Sequence, residues 1–307
     1  MNKSFDPLTT HGIYAILYAL FDKNETLDRA AMRQQTELCI GAGVHGMAAL
    51  GLATEVAKLT EAERRTVMDW VAEDTAGRVP LAFTIYGNSV AEQADQVRHA
   101  ASVGADWVIL QPPMAGSFSA AEYIRFFGRV AETTSLPVAI QNAPAFLGRG
   151  LTAEDIRTMT QAHPNIRRLK GEASAVEIEQ VIALTEGRVP VFNGRAGLEL
   201  VDGLRAGCVG FILAPDCIDH AVRIYDAYRA GDVAKADALY AELLPAIVLT
   251  MQGIEHLICY GKRLYGARAG IDIHDRAPAM RPTPFGLEVI KRHAAALGPL
   301  RMSAMAE

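Results

Sequence analysis

Short runs in which nearly every position is apolar alternate along this chain with longer stretches whose apolar residues recur every three or four positions. The first pattern suits a strand buried on both faces, the second an amphipathic helix. Eight strand-like runs fall at 13–17, 46–50, 79–84, 107–110, 136–141, 166–170, 189–192 and 207–213. The periodicity predicts helices between them, over 28–42, 60–76, 88–103, 118–133, 151–162, 173–185 and 195–206. Three of these open with a hydroxyl residue and an acid three positions later, as N-terminal caps do: Thr60 with Glu63, Ser119 with Glu122, Thr152 with Asp155. Strands alternating with helices in this way predict a (β/α)8 TIM barrel over residues 1–215. A doubly wound sheet is the alternative, but no GxGxxG follows the first run.

Beyond residue 215 the alternation stops. Stretches 216–230, 233–265 and 284–296 pattern as helices, and Pro245 is expected to kink the middle one. Residues 216–307 therefore form a C-terminal helical extension packed on the barrel.

Composition narrows the picture. Half of the 307 residues are apolar, enough for a sizeable core, and the net charge of -5 leaves no basic footprint for nucleic acid or an anionic membrane. The longest apolar runs, 44–52 and 209–214, are too short to span a bilayer. Cys39, Cys208, Cys217 and Cys259 lack CxxC spacing and no apolar leader precedes them, so reduced thiols in a soluble cytoplasmic protein are expected. The histidines show no HxH or HExxH spacing. Neither a metal site nor a cofactor is expected.

In such a barrel, chemistry gathers where strands end and βα-loops begin. Lys170 closes the sixth run in Arg167-Arg168-Leu169-Lys170-Gly171-Glu172. An apolar interior disfavours the ammonium relative to the free amine, and a free amine attacks ketones. The alternative is that Lys170 belongs to a solvated basic cluster with Arg167 and Arg168. After the second run, Gly51-Leu52-Ala53-Thr54-Glu55 offers backbone N–H groups and the Thr54 hydroxyl to a substrate carboxylate. Glu172 stands two residues past Lys170, placed to take a proton from the carbon beside an imine.

These loops resemble those of the dihydrodipicolinate synthase / N-acetylneuraminate lyase family of class I Schiff-base lyases. Its members share a Gly-Thr-Thr-Gly-Glu loop after strand two, a Tyr-Asn-x-Pro turn after strand five and a Lys-Glu pair after strand six. Here residues 51–55, Gln141-Asn142-Ala143-Pro144 and Lys170-Gly171-Glu172 stand at those places. The resemblance implies that Lys170 forms the imine, that the substrate is a small 2-keto acid, and that the protein is a homotetramer or homodimer. Ala53, Thr54, Gln141 and Asn193 are the candidate substrate contacts, and Lys170 and Glu172 the catalytic pair.

Departures from the pattern point to a branch. Gln141 replaces the tyrosine that relays protons in ordinary members, and an amide does neither acid nor base work near neutral pH. Leu52-Ala53 replaces the threonine pair, and Pro112-Pro113-Met114 the usual Pro-Tyr-Tyr. The L-2-keto-3-deoxyarabonate dehydratases look similar, with a Gln-Asp-Ala-Pro turn, a Lys-x-Glu triplet and a Ser-Glu after strand two. Their acidic strand-seven loop is not matched by Asn193-Gly194-Arg195. The expected activity is dehydration of a 2-keto-3-deoxy sugar acid. The alternatives are a pyruvate-releasing aldolase, a dihydrodipicolinate synthase-like enzyme, or a non-catalytic pyruvate-binding barrel.

Other positions carry less chemistry. Glu55 is expected to cap the second helix rather than act at the site. Tyr18 and Tyr86 read as rim or packing residues, and Arg149 as a surface loop charge. Residues 207–210, with Asn193-Gly194, are a weak match to the phosphate cup that many barrels build from loops seven and eight.

Overall fold

The computed structural model describes residues 10–300, so the outer ends of the two expected units lie outside the described residues. Eight parallel strands pair in chain order and β8 returns to β1, closing the barrel. They are β1 Gly12–Ile16, β2 Gly46–Ala49, β3 Leu81–Ile85, β4 Trp107–Leu110, β5 Val138–Asn142, β6 Ile166–Gly171, β7 Val191–Asn193 and β8 Gly210–Leu213. The outer ring is α1 Arg29–Gly41, α2 Glu61–Thr75, α3 Val90–Ser102, α4 Ala120–Ala131, α5 Ala153–Ala162, α6 Ala175–Leu184, α7 Leu200–Arg205 and α8 Ile218–Arg229. The eighth helix thus lies past residue 215 and packs across β1, inside the stretch expected to begin the extension. The longer helices that follow are α9 Val233–Thr250, α10 Lys262–Ala269 and α11 Pro284–Leu297.

Four strands, β3, β5, β7 and β8, start later than their apolar runs, the first three for one shared reason. Pro80, Pro137 and Pro190 occupy the second positions of the runs at 79, 136 and 189, and proline brings no N–H to the ladder. Their carbonyls still serve it: Pro80 O accepts from Met47 N–H, Pro137 O from Val108 N–H and Pro190 O from Leu169 N–H. Thr60 with Glu63 and Thr152 with Asp155 form reciprocal caps, Ser119 caps one way only, and Ser174 with Glu177 adds a further reciprocal cap. The helix expected over 195–206 is shorter, because Arg195 and Ala196 sit in the left-handed region and α7 begins at Leu200.

Glu55 does not cap α2. It lies buried in the β2 loop and receives the Lys262 ammonium from α10, with Lys58 Nζ at 2.5 Å. Burial pushes the Lys262 amine down, and the Glu55 charge opposes that shift. Pro245 does not break the long helix either. α9 runs through it and the chain turns at 251–253, bending by 101° before Ile254–Ala269. Among the described residues no single helix is long and apolar enough to cross a bilayer. Residues 207–209 lead into β8 from its N-terminal side, at the opposite end of the barrel from the βα-loops, which removes the phosphate-cup reading.

The barrel floor is aromatic. Tyr14, Trp107 and Phe192 pack edge-on or stacked with ring centroids 5.1–5.6 Å apart, and the Arg168 guanidinium lies over Trp107 at 5.2 Å. Glycine is required at position 46, since a Cβ there would meet the Tyr14 ring at 2.2 Å. This plug packs the lower barrel interior beneath the βα-loops.

Near the upper rim, the Tyr18 hydroxyl donates to Asp216 Oδ1 at 3.0 Å, both groups being buried. Burial pushes the Asp216 carboxyl up to about 6 from an ordinary 3.8, against the pull of the Tyr18 hydrogen bond and the Arg268 charge. A raised carboxyl binds its proton more tightly in the folded state. Its stabilising contribution is therefore full below pH 3.8 and is lost as pH rises through about 6. Asp216→Asn should remove that loss. Urea midpoints across pH 4 to 7 are expected to fall away from the variant's as pH rises in the wild type, and a pH-independent difference would contradict the assignment.

Candidate active site

Strand β6 carries the site because of how it ends. Gln141 stands opposite Lys170 and Asn142 opposite Gly171, and the Glu172 N–H donates to Asn142 O at 3.0 Å. Extended pairing thus reaches one residue beyond the strand. Side chains alternate along extended backbone, so Arg168, Lys170 and Glu172 all point inward. Lys170 Nζ lies 3.1 Å from Glu172 Oε1, and both side chains are buried. The intervening Gly171 faces the helices, where a Cβ would meet Ile178 Cδ1 at 2.5 Å.

A line of amides holds the carboxylate. Glu172 can only accept, so Gln141 must turn its NH2 toward it, and Gln141 Nε2 donates to Glu172 Oε1 at 2.7 Å. That orientation aims Gln141 Oε1 at Gln111 Nε2, which donates at 2.7 Å. Gln111 closes β4 as the one polar residue after Trp107–Leu110. That position was the signal by which it was identifiable, yet it was not among the expected site residues.

The β2 loop forms the facing wall. Gly51 allows close approach: a Cβ there would lie 2.4 Å from Ile16 Cδ1 and 3.5 Å from Lys170 Nζ. Leu50 and Glu55, on either side, both adopt positive φ, 66° and 55°. The expected role of the Thr54 hydroxyl is corrected, because it donates to Leu17 O at 2.6 Å and the Thr54 N–H to Gly51 O. The N–H groups of Leu52 and Ala53 have no partner among the described residues. Leu52, Ala53, Lys170 and Glu172 line a cavity of about 30 Å³ together with Gly194, Arg195 and Ala196. A neighbouring hollow of about 230 Å³ shares Leu52 and Ile254 with it and reaches Gln111.

The remaining candidates serve the frame. Asn193 spends both ends of its amide on backbone, donating to Ala173 O at 3.1 Å and accepting from Gly194 N–H at 2.8 Å. It shapes the β7 loop and is absent from the cavity wall. Arg149 clamps two loops through Pro113 O and Gly116 O, each at 2.7 Å. Tyr86 packs under the Arg64 guanidinium at 4.5 Å. Arg195 and Ala196, with φ of 54° and 52°, were not singled out, because backbone strain leaves little trace in residue type. Among the described residues no three His, Cys, Asp or Glu side chains cluster as metal ligands.

The model of the dihydrodipicolinate synthetase family matches residues 9–269. The chain belongs to the dihydrodipicolinate synthetase family. Family members are lyases, and two relatives show the range. YagE of Escherichia coli K12, a proposed 2-dehydro-3-deoxy-D-gluconate aldolase, is 29% identical over 238 residues, covering 76% of this chain and 79% of its own. The L-2-keto-3-deoxyarabonate dehydratase of Azospirillum brasilense is 27% identical over 242 residues, 77% of this chain and 78% of its own. A dihydrodipicolinate synthetase family crystal structure, that of YagE with pyruvate, superposes with a TM-score of 0.87 at 25% identity, covering 94% of this chain and 99% of that one.

Lys170 is the one lysine in the cavity wall. Pyruvate with borohydride is expected to add the mass of a reduced adduct to the peptide containing Lys170, and Lys170→Ala to abolish it. An adduct on another lysine, or none, would overturn the assignment.

Proposed function

We propose that the protein is a hydro-lyase that forms an imine between Lys170 and the ketone of a 2-keto-3-deoxy sugar acid. The single observation that carries this reading is the Lys170–Glu172 contact at 3.1 Å, with Gln141 in the place of a relay tyrosine. Glu172 accepts the ammonium proton, which frees the amine to attack C2, and then returns it to the carbinolamine hydroxyl, whose loss as water gives the protonated imine and restores the carboxylate. The imine draws electrons from C3, whose proton passes to a carboxylate already held by Gln141. The enamine pair then expels the C4 hydroxyl, which takes the proton held by Glu172, leaves as water and gives a C3–C4 double bond conjugated to the imine. Loss of a proton from the hydroxyl-bearing C5 and return of one to C3 shift the double bond to C4–C5. That enol becomes the C5 aldehyde, and hydrolysis frees Lys170 and a 2,5-dioxo acid. The net change is loss of one water.

The rival is retro-aldol cleavage of C3–C4, favoured by the similarity to YagE. Cleavage needs a base on the C4 hydroxyl, and the hydroxyl of Tyr18 is committed to Asp216. Elimination needs a base at C3 and a proton for the departing C4 hydroxyl, and one group, Glu172, can serve as both. Glu172→Gln is expected to lose roughly 100- to 10,000-fold in turnover, the usual worth of a general base, while still yielding the pyruvate adduct on long incubation. Product analysis over a panel of 2-keto-3-deoxy acids is expected to show dioxo acid. Normal turnover by the variant, or pyruvate as the product from every active acid, would decide for cleavage.

The substrate carboxylate is assigned to the Leu52 and Ala53 amides, the loop donors left without partners. A pyruvate-soaked crystal should show it within hydrogen-bond reach of them. Density at Arg149 or at the 193–195 loop instead would refute the anchor.

A further inference from the structure

The two arginines that precede Lys170 in sequence do not belong to its site. β6 starts at Ile166, so Arg167 and Arg168 lie toward the end of the barrel opposite the catalytic loops. There a cavity of about 570 Å³ opens between β6, α5 and the turn into β7. Its wall includes Arg157, Arg167 and Arg188 along with Thr160 and Gln161, and Arg168 borders it while its guanidinium lies over Trp107. No carboxylate lines it.

Nearby acids neutralise this wall only in part. Arg157 pairs with Glu154 through Nη2, and its Nε is buried without a partner among the described residues. Arg188 meets Glu186 at 3.2 Å in a pair whose side chains are 64% and 72% exposed, where solvent screens most of the attraction. The Arg167 side chain makes no hydrogen bond or ion pair among the described residues. Arg168 is fixed from beneath by Trp107 and by its contact with Thr10 O at 3.5 Å. Arg167, with the partly screened Arg157 and Arg188, gives the hollow an excess of positive charge in a chain of net charge -5, and an anion there would offset it.

We propose that this cavity binds a small polyanion, a metabolite with two or more phosphate or carboxylate groups, at a site separate from Lys170. Guanidinium forks match the oxygens of both groups in bidentate fashion, which a solvated lysine patch does not. The volume falls within the roughly 300–1,000 Å³ typical of small-ligand sites. An occupant here would grip β6 at one end while Lys170 works at the other.

The test is calorimetric titration of the full chain with pyrophosphate and, separately, with citrate, at ionic strength held constant by chloride and with saturating pyruvate present to occupy the Lys170 cavity. Saturable binding of one anion per chain is expected, weakened at least tenfold in Arg157→Gln/Arg167→Gln. Binding of pyrophosphate alone identifies a phosphate site, of citrate alone a carboxylate site, and of both a site that reads charge. Should the double variant fail to fold, Arg188→Gln, a change at an exposed side chain, is expected to weaken binding in the same direction. Absence of saturation by either anion above the chloride control, or wild-type affinity in the folded variants, would overturn the proposal.

Discussion

The two-residue repeat of extended backbone is the constraint on which this site depends. Lys170 and Glu172 share the barrel interior because β6 stays extended through Gly171 and the Glu172 N–H still finds Asn142 O. Had the acid followed the lysine directly, the same backbone would have sent it outward, against the helices. The spacer must also be small, since Ile178 of α6 closes on the strand where a Cβ would project. Glycine between the two functional residues therefore serves the pairing and the helix packing at once.

Burying that ion pair is costly unless its remaining valences are filled. The Gln111–Gln141 line fills them on the carboxylate side, and its amides keep one orientation because the carboxylate at its end accepts only. A tyrosine at position 141 would donate one hydrogen bond and could trade a proton. Glutamine donates and trades nothing, which leaves Glu172 as the group beside Lys170 able to exchange protons. The aromatic floor of Tyr14, Trp107 and Phe192 closes the barrel beneath. Above, the C-terminal helices are pinned by buried pairs, Lys262 to Glu55 and Arg268 to Asp219 at 2.8 Å.

Much of this was legible because the signals are local. Apolar runs and caps mark the barrel elements to within a few residues, and the prolines account for three late starts. The Lys-Gly-Glu triplet could be read because strand alternation is a property of the chain itself. What sequence alone does not show is which partner a polar group finds across the fold. Thr54 was expected to face substrate and faces Leu17 O, while Glu55 was read as a helix cap and meets Lys262, distant in the chain. Arg167 and Arg168 look like one cluster with Lys170 until β6 is seen to carry them toward its other end. Contacts between residues far apart in sequence leave no periodic trace, and that is where the expectations parted from the structure.

The distribution of backbone strain argues for the same location. Of the non-glycine residues held at positive φ, Glu25, Ala76 and Glu186 lie in turns or at helix ends where such a conformation is ordinary. Leu50, Glu55, Arg195 and Ala196 lie instead in the two loops that flank the Lys170 cavity. Each such residue costs of the order of 1 kcal/mol or more and persists only where its surroundings over-determine it. The β2 loop uses that conformation to leave two amides free and a glycine against Lys170 Nζ. The β7 loop uses it to bring Gly194 to 3.0 Å, measured from an added Cβ, of the Glu172 side chain. The strained walls bound the cavity of about 30 Å³ beside the Lys170–Glu172 contact, so the cost in backbone energy falls around that pair.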